Sequence, residues 1–109
     1  MPTPNIGLGS QTFKIGQEAN FVIFGDGFSG LDSNKNVGAV DLQENKQHIA
    51  WTVTAFKGQS DNKMKITATP NTSANFHRLL DGGDGDLTIT VTNGDDESGL
   101  LSANVSYTS

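Results

Sequence analysis

Apolar positions recur at every second residue along most of this chain, and no helical period of three to four is sustained. Phe13 and Ile15 alternate with polar neighbours in TFKI. The stretch ANFVIFG (19–25) is apolar on both faces, as expected of a central strand. In HIAWTVTAF (48–56), Trp51, Val53 and Ala55 share one face, and Thr52, Thr54 and Phe56 share the other. KMKITATP (63–70) directs Met64, Ile66 and Ala68 inward and Lys65, Thr67 and Thr69 outward. DLTITVTN (86–93) alternates Leu87, Ile89 and Val91 with threonines, and LSANVSYT (101–108) alternates Leu101, Ala103, Val105 and Tyr107 with small polar residues. VGAVDL (37–42) is short and ambiguous, and only SANFHRLL (73–80) has room for one or two helical turns.

Between these runs lie GDG, SGLDSNKN, ENKQ, KGQSDNK, DGGDGD and NGDDESG, all built from residues that favour turns. Short alternating runs separated by such turns predict an all-β sandwich. The expected core is Ile15, Phe21, Ile23, Phe28, Trp51, Val53, Met64, Ile66, Leu87, Ile89, Val91, Val105 and Tyr107. In FGDGF (24–28), Gly25 and Gly27 are expected to supply unusual φ values at a strand exit, with Phe28 returning to the core. No helix follows to form a phosphate cradle.

Composition narrows the function classes. The chain has 109 residues, enough for one domain, and 34% of them are hydrophobic. Residues 1–11 are expected to form an N-terminal arm and 12–109 a single domain. There is no cysteine, so neither disulfides nor thiolate metal ligands are available. Twelve acidic residues against seven basic give a net charge of -5, and no Lys/Arg cluster shows along the chain, which disfavours nucleic acid as a partner. No run approaches the roughly 20 apolar residues of a membrane-spanning helix, so no membrane insertion is expected. The opening MPTPNIGLGSQTFKIG lacks the basic and apolar regions of a secretory leader, so assembly in the cytoplasm is expected.

The order of these pieces resembles the IPT/TIG group of immunoglobulin-like domains. Pro4, Ile6, Gly16, Phe21, Ile23, Gly25, Gly27 and Phe28 carry the resemblance at one end, and Leu87, Ile89, Val91, Asn93, Gly94, Val105 and Tyr107 carry it at the other. The middle of the chain, longer than the family's usual short stretch, departs from the pattern. The resemblance implies an immunoglobulin-like β-sandwich of about seven to eight short, mostly antiparallel strands. It also implies a binding or spacer role, and it supplies no catalytic residues.

Candidate chemistry is sparse. Asp81, Asp84 and Asp86 in DGGDGDL are hard oxygen donors close together and form the candidate Ca²⁺ site, although neither an EF-hand nor a β-helix repeat is matched. The bland reading is an acidic surface turn, so no cofactor is the base expectation. His48 and His77 are the only histidines and are expected at the surface. No Gly-x-Ser-x-Gly elbow occurs, and a small sandwich offers little room for a catalytic cleft, so no enzyme is expected. Trp51 and Tyr107 share faces with aliphatic residues and read as core rather than as a sugar platform. Phe56 on the Thr face, with Phe76 and Arg78 in the long polar connection, are the candidate partner contacts. The expected function is a non-catalytic module, an auxiliary or decoration protein on the protein lattice of a bacteriophage capsid or tail, located in the virion. The alternative is a cell-surface domain that binds polysaccharide or acts as a spacer, with or without calcium.

Overall fold

The computed structural model describes residues 3–5, 12–44, 46–71, 85–93 and 97–108. Among these, eight strands form two four-stranded sheets. They are β1 (Thr3–Asn5), β2 (Thr12–Lys14), β3 (Ala19–Asp26), β4 (Ala39–Glu44), β5 (Trp51–Ser60), β6 (Lys63–Pro70), β7 (Gly85–Asn93) and β8 (Glu97–Thr108). One sheet runs β1-β3-β6-β5 and the other β2-β8-β7-β4. All pairings are antiparallel except β2 with β8, which is parallel. With β1 and β2 taken as two halves of a first strand divided between the sheets, the orders become A-B-E-D and A-G-F-C. Apart from the half-strand beside G, these are the ABED and CFG sheets of the constant-type immunoglobulin sandwich. Thr3–Asn5, inside the segment expected as an arm, thus adds a strand to one sheet by pairing with β3.

The alternation predicted from the sequence is the alternation observed at most positions. Met64, Ile66 and Ala68 of β6 face Leu87, Ile89 and Val91 of β7 across a closed core, each wholly buried. Phe21, Ile23, Phe28, Trp51, Val105 and Tyr107 are buried with them, and Phe13, Leu31, Leu42 and Ala50 complete the core. Ile15 and Val53, expected within it, are half-buried at its margin. The strand β3 lies inside its sheet, but its second face is open to solvent. Phe24 there is 46% exposed, so apolar residues on both faces did not signal double cover.

Two local irregularities shape the rest. Gly25 remains in β3 opposite Pro4, and only Gly27 takes a positive φ, 79°. Beyond it Phe28 plugs the core, and the chain turns through Gly30 to a 3-10 turn at Ser33–Lys35 capped by Asp32. The second irregularity is a bulge in β5. Val53 pairs with Ala68 and Ala55 with Thr67, leaving Thr54 as the extra residue. A bulge inserts one residue and so inverts the facing of everything after it. Phe56, expected on the Thr face, is therefore set opposite Ile66 and packs half-buried against the core.

Candidate functional site

One end of the sandwich is filled by four aromatic rings. Phe13 meets Trp51 edge-on with centroids 5.1 Å apart, and Phe21 and Tyr107 flank the pair. Inside this cluster the indole N–H of Trp51 donates to the Tyr107 hydroxyl at 3.1 Å, and that hydroxyl donates to Glu44 Oε1 at 2.7 Å. Glu44 is only 2% exposed. Burial, and secondarily the hydrogen bond and charge of Glu44, push the Tyr107 phenol far above its ordinary pKa. Glu44 and Tyr107 are the ionisable groups with the least access to water among the described residues, and neither they nor Trp51 line the two grooves described below. They act as a polar link tying β4, β5 and β8 together. Trp51 and Tyr107 are thus core residues, as the alternation expected.

The outer face of the β3-β6-β5 sheet is chemically distinct. Register places Lys57 directly opposite Lys65, Lys65 opposite Val22, and Lys63 opposite Phe24. Because Lys63 and Lys65 are two apart on one strand, all three ammonium groups share this face. All three lysines are exposed, and none has a hydrogen-bond or ion-pair partner among the described residues. Like charges directly opposite across a ladder destabilise it. The face is bordered by two carboxylates that are engaged elsewhere. Asp26 accepts from Asn62 Nδ2 at 3.2 Å, and buried Asp32 accepts the Asn34 backbone N–H at 2.9 Å.

Beside Lys57 and Lys65 runs a shallow groove of about 180 Å³, lined also by Ala55, Phe56, Thr67, Ser33, Asn34 and Asp32, which forms a β-bridge with Lys57. The Ser33 side is held because the Phe56 backbone N–H donates to Ser33 Oγ at 3.0 Å and the Gly58 N–H to the Leu31 carbonyl at 2.7 Å. Thr67 Oγ1 donates to Asn20 Oδ1 at 2.7 Å across to β3. A second groove, about 280 Å³, lies between β2 and the start of β3 around Gln17 and Glu18.

The other candidates fare differently. Asp81, Asp84, Phe76, Arg78 and His77 lie outside the described residues. Asp86 falls on β7 opposite Asn104. Among the described residues no three metal-ligating side chains come together, and no helix is long and apolar enough to cross a membrane. The lysine face was not apparent from the chain's charge. The signal for it was the alternation in KMK, combined with a hairpin that returns Lys57 to the same level.

No protein-family model matches the chain, and no curated protein matches it. Among solved structures, the SrpA adhesin from Streptococcus sanguinis superposes with a TM-score of 0.51 at 14% identity, covering 99% of this chain and 57% of that one. A point mutant of the same adhesin gives a TM-score of 0.53 at 13% identity, covering 98% and 58%. The RIG-5 IG1 homodimer structure covers 99% of this chain and 98% of its own at a TM-score of 0.48 and 10% identity. The chain therefore spans little more than half the length of the adhesin it matches. Together with the strand order, the adhesin likeness establishes an immunoglobulin-like sandwich.

Proposed function

We propose that this chain is a non-catalytic structural and binding module, an auxiliary protein that attaches to the repeating protein lattice of a bacteriophage capsid or tail. The observation that carries the reading is the division of labour among its polar groups. Among the described residues, the buried ionisable groups are consumed in holding the sandwich, whereas the ammonium groups of the three lysines beside Phe24 have no partner. A module of this kind needs a stable scaffold and an adhesive face, and neither requires a cofactor.

A second reading is a cell-surface domain that binds polysaccharide or serves as a spacer. The fold likeness to the SrpA adhesin favours it. Fractionation separates the two. On the lattice reading the protein bands with density-purified particles at fixed stoichiometry. Recovery only in the cell-envelope fraction, with retention on a glycan array, replaces that reading with the second.

A further inference from the structure

We propose that the face formed by β3, β5 and β6 docks an acidic, extended segment of a partner protein, with carboxylates over Lys57 and Lys65 and an apolar side chain against Phe24. This rests on the lattice reading and names the chemistry of its contact.

Four observations converge on that occupant. The first is charge. In a chain of net charge -5, three of the seven basic residues are gathered on one patch of sheet. An acidic partner surface is repelled by the molecule's net charge and attracted at this patch, which favours a defined orientation of the contact. The second is the cost already present in the fold. Lys57 and Lys65 are set opposite each other, Asp32 across from Lys57 is bonded to the Asn34 N–H, and among the described residues no carboxylate pairs with either ammonium, so an incoming anion relieves that repulsion.

The third is apolar surface. Phe24 is 46% exposed and lies beside Val22 and the alkyl stems of Lys63 and Lys65. An exposed aromatic within a rim of long charged side chains matches the make-up of a protein-binding patch. The fourth is size. The groove beside the lysines is about 180 Å³, below the ~300 Å³ at which small-molecule pockets begin. Asp32 shares its lining, so an incoming carboxylate is held over the lysines at the rim, and the groove itself is too small to hold a separate small-molecule ligand.

The test uses the full chain and two polyanions of opposite kind, a random copolymer of glutamate and tyrosine and the uronic-acid polymer polygalacturonate, titrated at low ionic strength. The copolymer is expected to bind more tightly by about tenfold, with an affinity that falls steeply as salt is added. The double variant Lys57→Gln/Lys65→Gln should lose about tenfold in copolymer affinity. Phe24→Ser should weaken the copolymer and leave polygalacturonate unchanged. Far-UV circular dichroism and the melting temperature confirm that each variant is folded. All three substitutions lie on an exposed face.

Equal affinity for both polymers, indifference to Phe24, tighter binding of polygalacturonate, or no binding at all overturns the proposal. Particle co-sedimentation separates this failure from failure of the underlying reading. If wild type and the double lysine variant both co-sediment, the module belongs to the lattice but docks through another face. If neither does, the lattice reading itself falls.

Discussion

At the scale of the residue, Trp51 and Tyr107 carry more than their hydrophobic area. Truncating Trp51 to Ala removes the ring that Phe13 and Phe21 pack against, and it should cost about 3–5 kcal/mol in a denaturation experiment followed by circular dichroism. A loss under about 1 kcal/mol would contradict a buried indole. Tyr107→Phe keeps the ring but removes the hydroxyl shared by Trp51 and Glu44. Two buried polar groups then lose a partner, and the expected cost is about 1–3 kcal/mol. The same residue sets a pH dependence. The folded state holds the phenol proton well above the pH at which the unfolded chain releases it, near 10. Its contribution is therefore constant below about pH 10 and declines as pH rises further, because only the unfolded state ionises. Wild-type stability should fall more steeply than that of Tyr107→Phe between about pH 10 and 11.5, measured by urea midpoints.

At the scale of the element, β5 shows both what alternation reveals and where it stops. Met64, Ile66 and Ala68 were legible because β6 is regular, and a period of two leaves its apolar side only one orientation. Phe56 was misplaced because the extra residue at Thr54 leaves no mark in the hydrophobic pattern. Either side of a bulge reads as good alternation. The lysine pairing was hidden for a related reason: it depends on the register of β5 against β6, which the turn at Asp61 and Asn62 and a second irregularity between Gly58 and Ser60 set together. The Glu44–Tyr107 link joins positions 63 apart and follows from no local rule.

Gly58 lies within that irregular stretch. A Cβ there would run into the Phe28 backbone carbonyl. Gly58→Ala should therefore cost about 1–3 kcal/mol from overpacking against rigid backbone. Gly30 is the control. It has a φ of +85° with open space around it, so Gly30→Ala should cost only the left-handed backbone penalty, about 1–2 kcal/mol. Denaturant midpoints of the two variants, with unchanged slopes, check the comparison.

At the scale of the whole molecule, charge and stability pull against each other. Lys65→Glu would turn the repulsive pair with Lys57 into an attractive one, and with Val22 on its other side it should stabilise the fold by about 0.2–1 kcal/mol, an increment that salt diminishes. The same change should abolish capture of acidic polymer. A substitution that strengthens the sandwich while removing polymer capture would mark Lys65 as a residue the fold tolerates rather than needs. Thermal melts at low and high salt measure the first effect and polymer titration the second. The flank of the sheet is handled differently. The outer edge of β5 is covered by the turn from Leu31 to Ser33, which hydrogen-bonds to Phe56 and Gly58 and leaves less of that edge open to pairing with another chain.

The parallel pairing of β2 with β8 bears on how the molecule responds to load. Thr12, Phe13 and Lys14 run alongside Ser106, Tyr107 and Thr108 in the same direction, and the Ile15 N–H closes the patch on the Thr108 carbonyl at 2.9 Å. Tension applied through the chain on either side of these segments draws them past each other lengthwise, so their hydrogen bonds must rupture together and not one after another. A module tethered to a moving particle or a flowing surface would thereby resist detachment of its own strands. Single-molecule extension through the two ends should give a higher rupture force than extension applied across the antiparallel β7–β8 hairpin, which opens bond by bond.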